Sequence, residues 1–255
     1  MTEIRGLYTL WLREVKRYLR DRIRIVSSFV QPLLWLVIFG TGIRFSAAIL
    51  NVTSREYIFP GIIGQTILFT SMFMGISVIW DREFGFLKEI LVAPVSRMSI
   101  FLGKMLGDST DALIQGTLVF LLGVLLGIPL TAVMFIEILP IMLLTTFGLV
   151  SIGLTLASFI ENLESFGAIQ SFVNLPLFFL SGALFPVNDP SLPNWLRIAS
   201  NFNPLTYAVD ALRTITLGRS WQPGPIYPLY YDLLVICCFD IAMIIIGTIA
   251  FNRRK

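Results

Sequence analysis

Histidine is absent from this sequence of 255 residues, cysteine is rare and charged residues are few. Without histidine, His-based metal sites, Ser-His-Asp triads and histidine proton relays are excluded. The two cysteines, Cys237 and Cys238, are adjacent inside an apolar run, so they give no support to a disulfide framework. Charged residues make up only 14% of the chain, against about 25% in soluble domains. This deficit predicts a membrane protein.

Long apolar runs strengthen that prediction, because about 20 such residues cross the hydrocarbon core of a bilayer. Six runs approach or reach this length, at residues 25–43, 57–80, 105–128, 132–160, 166–185 and 227–251. A secretory signal is an alternative for the first run, but its charged lead-in is long and more runs follow. The sequence therefore predicts an all-α, polytopic protein with six transmembrane helices in a single transmembrane domain, residues 1–255.

Basic residues are unevenly divided between the two sides of these spans. Of the 19 Lys and Arg residues, 14 lie before the first run, between the second and third runs, or at the C-terminus, and five lie on the opposite side. The positive-inside rule then places both termini in the cytoplasm. We expect the protein to lie in the cytoplasmic membrane. The basic residues flank apolar runs and lack aromatic interleaving, so nucleic-acid binding is not expected.

The N-terminal segment, residues 1–24, has the pattern of an amphipathic helix. Its apolar residues recur at helical spacing and include Trp11 and Tyr18, whereas its basic residues fall on other faces. Such a helix is expected to lie in the cytoplasmic membrane interface. A helix of the soluble type packed on a partner is the alternative.

Two segments between the runs stand out. Residues 81–104 form a charged connector on the predicted cytoplasmic side, which is either a docking handle or a solvated loop. Residues 186–225 are rich in proline yet unusually apolar for an external loop. Because irregular backbone at membrane depth must be covered by protein, we expect short re-entrant extracellular helices there, with a plain loop as the alternative.

Three stretches, in this order and spacing, resemble the membrane subunit of ABC-2 type exporters. They are W-D-R-E-F-G-F-L-K-E-I-L-V-A-P-V-S-R from Trp80, L-F-F-L-S-G-A-L-F-P-V-N-D-P from Leu177, and N-P-L-T-Y-A-V-D-A-L-R from Asn203. The resemblance covers nearly the whole chain and is greatest to the drug-efflux and nodulation-factor branch. It implies a permease that pairs with a second copy of itself in a homodimer, contacts membrane lipids, and exports an amphipathic or hydrophobic drug, lipid or lipid-linked saccharide.

The resemblance also implies that ATPase subunits dock from the cytoplasm on a coupling helix and on a second, shorter contact. The residues implied in coupling are Arg82, Glu83, Lys88, Glu89, Arg97, Glu161 and Glu164. No G-x-x-x-x-G-K-S/T motif occurs, since Gly103-Lys104 is followed by Met105. We therefore expect no catalytic residue, metal site or cofactor in this chain, with ATP and Mg bound by the partner ATPase.

Asp240 is an acidic residue near the middle of the last apolar run. A carboxylate there costs about 2.5–3.5 kcal/mol on insertion scales, so we expect it to face the bundle interior or a wet cavity. Its candidate partners on other runs are Gln115 and Asn174, and the three residues form a tentative substrate pathway. An interhelical hydrogen bond and a substrate or proton contact are both open for Asp240, and a secondary transporter driven by an ion gradient is the alternative function.

Overall fold

The computed structural model describes residues 2–42, 52–85, 95–189, 192–218 and 224–253, and these residues form helices without any strand. The helices are α1 (Thr2–Arg20), α2 (Arg22–Gly42), α3 (Ser54–Met74), α4 (Ile76–Glu83), α5 (Arg97–Leu125), α6 (Ala132–Phe159), α7 (Leu163–Phe179), α8 (Asn194–Asn201), α9 (Pro204–Leu217) and α10 (Leu229–Arg253). The all-α prediction is confirmed for this part of the chain.

Four helical segments of the described chain are long and apolar enough to cross a membrane. They are Ser54–Glu83, in which α3 and α4 follow one another, Arg97–Leu125, Ala132–Phe159 and Leu229–Asn252. These segments support a multi-pass membrane protein. The first and fifth predicted runs form α2 and α7, of 21 and 17 residues, and neither is among the four. Six spans therefore stay a prediction.

The span made of α3 and α4 is the centre of the bundle, because 89% of its most apolar window is buried by other helices. It packs on α2, α5, α6, α7 and α9. A helix that is apolar on all sides suits such a position. By contrast, α10 packs mainly on α6 and α9, and only 22% of its window is buried.

Gly75 separates α3 from α4 at a point where α6 approaches closely. A Cβ atom at Gly75 would lie 2.8 Å from the backbone carbon of Gly153 and 2.7 Å from the ring of Phe166. Gly153 in turn faces the backbone carbonyls of Ser71 and Met72. Small residues on both helices therefore allow the backbones to approach, as is common between membrane helices.

The helices α4 and α5 extend beyond the predicted apolar runs into the connector, residues 81–104, whose cytoplasmic position stays a prediction. Helix α4 continues to Glu83, and α5 begins at Arg97 rather than at Met105. Asp81 and Lys104 therefore belong to helices, where both are buried. Hydropathy misplaced these bounds because charged side chains ended the apolar runs, although these two charges are paired inside the protein.

Two short helices, α8 and α9, occupy the predicted re-entrant segment, residues 186–225. Asn203 caps α9 by accepting a hydrogen bond from Leu205 N at 3.0 Å, and Pro204 occupies the first turn, where its missing N–H costs nothing. Most of α9 is buried against α3, α6 and α10. The plain-loop alternative is therefore wrong for this helix, and the entry of these helices into the outer leaflet stays a prediction.

Candidate functional site

Four charged side chains from three helices form a buried ionic cluster: Arg13 and Glu14 of α1, Asp81 of α4 and Lys104 of α5. Arg13 Nη2 donates to Asp81 Oδ1 at 2.7 Å. Lys104 Nζ lies 2.6 Å from Asp81 Oδ2 and 3.1 Å from Glu14 Oε1, and it also donates to Ser77 Oγ at 3.3 Å. The two carboxylates are thus compensated by Arg13 and Lys104 where the three helices meet, and Arg17 Nη1 lies 3.8 Å from Glu14 Oε2 as a further cation.

Because this cluster is buried, the stability of each charge in it depends on the other members. Lys104 is fully buried, and the side chains of Glu14 and Asp81 are only 3% exposed. Burial alone would lower the pKa of Arg13, but its hydrogen bond to Asp81 and the charge of that residue raise the pKa. Charges removed from water need matched partners, so loss of one member leaves another uncompensated.

Helix α1 lies directly on α5, and two glycines of α5 make this contact possible. A Cβ at Gly103 would lie 2.9 Å from Leu10 Cβ, and one at Gly107 would lie 2.6 Å from Glu14 Cβ. Trp11 Nε1 also donates to Thr110 Oγ1 at 3.0 Å. The predicted amphipathic helix is confirmed as a helix, and its contact with α5 of the same chain is made by Leu10, Trp11 and Glu14. Other apolar residues of α1, among them Ile4, Tyr8 and Leu19, are exposed. Its position in the membrane interface stays a prediction.

Among the predicted coupling residues, two arginines form hydrogen bonds to the ends of other helices, and three glutamates are exposed. Arg82 donates to Ile160 O at 2.9 Å and to Ala157 O at 3.2 Å, so it joins the end of α4 to the C-terminal end of α6. Arg97 donates to Asn252 O at 2.8 Å and joins the start of α5 to the end of α10. The exposed acids are Glu83, Glu161 and Glu164. Lys88 and Glu89 lie outside the described residues.

The motif N-P-L-T-Y-A-V-D-A-L-R organises the opposite end of the bundle. Arg213 is 1% exposed, donates to Gly182 O at 2.9 Å, and stacks over the ring of Tyr57 at 4.0 Å. Asp210 accepts hydrogen bonds from the backbone N–H groups of Ile226 and Tyr227 at 2.8 and 3.0 Å. The two charges of α9 thus hold the segments before and after it.

The tentative substrate pathway residues are all buried, but the structure does not bring them together. Gln115 of α5 accepts a hydrogen bond from Thr70 Oγ1 of α3 at 2.5 Å. Asn174 is buried on α7. Asp240 is 4% exposed, which confirms its interior position, and it lies against Gly148 of α6. Neither carboxylate oxygen of Asp240 accepts a hydrogen bond from Gln115 or Asn174. A substrate pathway shared by the three residues stays a prediction, because hydropathy indicates depth and not the face that a helix turns inward.

A profile of the family described as ABC-2 type transporter matches residues 5–217. The chain belongs to the ABC-2 type transporter family. Members are membrane permease subunits of ABC transporters, work with a separate ATP-binding subunit, and are not themselves catalytic. The match covers most of α1, the ionic cluster and the Asp210–Arg213 motif.

Similar proteins from three sources carry permease or nodulation names. The protein named transport permease ycf38 from Cyanophora paradoxa is 36% identical, over 98% of this chain and 89% of its own length. Nodulation protein J of Rhizobium meliloti is 25% identical, over 90% and 86%. The permease protein DrrC of Mycobacterium tuberculosis, named for doxorubicin resistance, is 25% identical, over 88% and 79%. These relatives confirm the resemblance to the drug-efflux and nodulation branch.

Several buried charged residues of this permease were not predicted from the sequence. Glu14 is a lone acid in the middle of a basic helix, Lys104 falls between two glycines four residues apart, and Asp232 precedes Asp240 by two helical turns. Small residues at that spacing often mark a close helix contact, so Gly103 and Gly107 were a readable signal for the contact with α1. The identity of the contacting helix was not readable from spacing.

Proposed function

We propose that this permease is the membrane half of an ATP-driven exporter. Two copies pair, two ATPase subunits dock from the cytoplasm, and an amphipathic or hydrophobic drug, lipid or lipid-linked saccharide leaves the cell. Family membership supports the partnership with an ATPase. The names of the nodulation and doxorubicin resistance relatives favour export of amphipathic molecules.

The observation that carries this proposal is the set of contacts at the two ends of the connector between α4 and α5. On the α4 side, Asp81 reaches α1 through Arg13, and Arg82 reaches the end of α6. On the α5 side, Lys104 reaches α1 through Glu14, and Arg97 reaches the end of α10. A displacement of the connector would therefore move α1, α6 and α10 as well as α4 and α5, which it joins.

Such linkage suits a transporter that alternates between two arrangements. ATP drives the change only in so far as it stabilises one arrangement over the other. Packed helices and ion pairs shift between discrete arrangements rather than deforming continuously. In the proposed mechanism, closure of the ATPase dimer moves the connector, and the ionic cluster keeps α1, α4 and α5 together as the bundles rearrange.

Nucleotide chemistry is assigned to the partner subunit. The sequence holds no G-x-x-x-x-G-K-S/T, the loop whose backbone N–H groups cradle phosphates. ATP and Mg²⁺ are therefore proposed to bind the ATPase, and this chain contributes the docking surface around residues 82–97 and 161–164.

The proposal is tested by co-purification combined with charge reversal. The full-length permease is purified with its ATPase, and Lys88→Glu and Glu89→Lys are introduced together. Exposed ion pairs contribute only about 0–1 kcal/mol each, so the variant is expected to assemble but to lose most of its substrate-stimulated ATP hydrolysis. Lys16→Glu, at an exposed site on α1, is the matched control. Absence of an ATPase from the purified complex, or unchanged stimulation in the double variant, would contradict the proposal.

A secondary transporter driven by an ion gradient is the second candidate. It is favoured by Asp232 and Asp240, two acids of a single spanning helix that are buried and have no hydrogen-bond partner among the described residues. Ionisable residues of this kind often mark proton or ion pathways. Transport that continues without the ATPase would favour this candidate.

A further inference from the structure

A cavity lies between α6, α9 and α10, close to the middle of the α6 and α10 spans, and the coupling contacts do not involve it. Its walls are mostly apolar and buried, with two polar side chains among them. The buried lining residues are Thr145, Leu149, Leu205, Ala208, Ile236 and Asp240. Pro204 and Phe239, which are only half-buried, mark its opening.

Asp240 supplies the one charge among the residues that line this cavity. Its side chain is almost fully buried, and Oδ1 lies against the backbone at Gly148, yet neither carboxylate oxygen accepts a hydrogen bond of good geometry from the described part of the chain. No Lys or Arg is among the lining residues. A buried polar group without a partner costs free energy, and the cost is greater inside a membrane span. A ligand that donates a hydrogen bond to this carboxylate would lower that cost.

Thr145 adds a third acceptor. Its hydroxyl already donates to Ile141 O at 2.7 Å, which leaves only the oxygen lone pairs for a ligand. The polar side chains that line the cavity, Asp240 and Thr145, therefore offer a ligand acceptor oxygens and no donor. A primary ammonium group has three donors and no acceptor, and it also carries the charge that would neutralise Asp240.

We propose that this cavity binds the primary ammonium group of a lipophilic amine, with Asp240 as its counter-ion and the apolar tail leaving past Phe239 into the membrane. The enclosed space holds a single group about the size of a water molecule, which an ammonium group matches. A trimethylammonium group is larger and has no N–H donor, so it is excluded. The weakly buried position of α10 leaves the opening accessible from the side of the bundle.

The identification of this amine as cargo rests on the proposed export function, whereas its binding does not. The site is therefore tested on the permease without ATP or ATPase. The probe is hexadecylamine with a diazirine on its chain, photo-crosslinked to the full-length permease in phosphatidylcholine nanodiscs. Hexadecanol with the same diazirine is the neutral counterpart, and unlabelled hexadecylamine and hexadecyltrimethylammonium are the competitors.

The amine probe is expected to label peptides of α6, α9 or α10 near Asp240, and the alcohol is not. Asp240→Asn should reduce this labelling by about tenfold or more, since a charge-assisted contact is lost. Asp232→Asn, the same change two turns away on α10 and outside the cavity, should leave the labelling unchanged. Hexadecylamine should compete, and hexadecyltrimethylammonium should not.

Thermal unfolding and size-exclusion profiles establish that each variant is folded. If Asp240→Asn fails to fold, Ala208→Leu, which fills the cavity and keeps the carboxylate, is used and should abolish the labelling. Three results would each overturn the proposal: equal labelling by amine and alcohol, labelling that persists in Asp240→Asn or Ala208→Leu, or no specific labelling at all, which would leave only water in the cavity. Retained labelling without ATP-dependent export would instead contradict the proposed function alone.

Discussion

Two sets of buried carboxylates in this permease differ in their surroundings: one set has cationic partners and the other has none among the described residues. Glu14 and Asp81 lie 3.1 Å or less from Lys104, and Asp81 also accepts from Arg13. Asp232 and Asp240, on α10, are equally buried but have no hydrogen-bond partner in the described chain. Buried charges are normally paired, and unpaired ones inside spans usually mark functional positions. The first set therefore holds helices together, whereas in the second set Asp240, which lines the cavity, is available to a ligand.

The position of each set in the bundle agrees with this division. The paired set lies where α1, α4 and α5 meet, and the span that includes α4 is 89% buried over its most apolar window. The unpaired set lies on α10, where the corresponding figure is 22%. A ligand from the lipid therefore has a short route to α10 and none to the centre of the bundle.

The largest effect is expected from removing the cation that the paired carboxylates share. Lys104→Ala leaves Glu14 and Asp81 buried with less compensation, and breaking a buried pair costs about 3–5 kcal/mol. The free energy of unfolding, measured by SDS titration in mixed micelles, should fall by that amount. Lys16→Ala, which removes a lysine at an exposed site of α1, is the control. A loss below about 1 kcal/mol, the range of exposed pairs, would remove the distinction between the two sets.

A smaller effect is expected from separating α1 from α5 without changing any charge. Gly107→Ala places a Cβ 2.6 Å from Glu14 Cβ and 3.4 Å from the backbone carbonyl of Trp11, so α1 must shift. Overpacking of this kind costs about 1–3 kcal/mol. Gly167→Ala is a matched control on α7, because its new Cβ would meet nothing within 4 Å. Equal thermal stability of the two variants would show that the close contact is not required.

The unpaired set should tolerate loss of its charge. Asp232→Asn retains the shape and adds a donor, so the free energy of unfolding should change by no more than about 1 kcal/mol, the scale of interhelical hydrogen bonds in membranes. Asp81→Asn, the same substitution in the paired set, should be clearly more destabilising. If both variants lose the same stability, the carboxylates of α10 are structural too.

The smallest effect concerns Glu3, an exposed acid that caps α5 from α1. It accepts from Ser96 N at 3.0 Å and from Ser96 Oγ at 2.9 Å. Hydrogen bonds from Ser99 and Ser96 lower the pKa of Glu3 below its ordinary value of 4.5. A lowered native pKa stabilises the fold above the unfolded pKa, and the gain is lost as pH falls through the native pKa. The difference in Tm between the permease and Glu3→Gln should therefore be present at pH 7 and vanish in acid; a difference independent of pH would contradict this contact.

Much of the fold was predictable because it depends on local patterns. Apolar runs and helical periodicity identified α1, the central span and the final helix, and the cost of a charge in lipid placed Asp240 inside. The ionic cluster was not predictable in the same way, because Glu14 and Lys104 are 90 residues apart in the chain. Charge also misled the bounds of α4 and α5, since a paired charge inside a helix has the same sequence signature as a solvated one.

Transport in inside-out membrane vesicles distinguishes export driven by ATP from transport driven by an ion gradient. Vesicles containing the permease and its co-purifying ATPase are given a labelled amphiphilic substrate, with ATP or a non-hydrolysable analogue, and with or without ionophores that collapse ion gradients. We predict accumulation that requires ATP hydrolysis and continues when the ionophores are present. Accumulation that the ionophores abolish, or that proceeds without the ATPase, would contradict an ATP-driven exporter and favour a gradient-driven transporter built around Asp232 and Asp240.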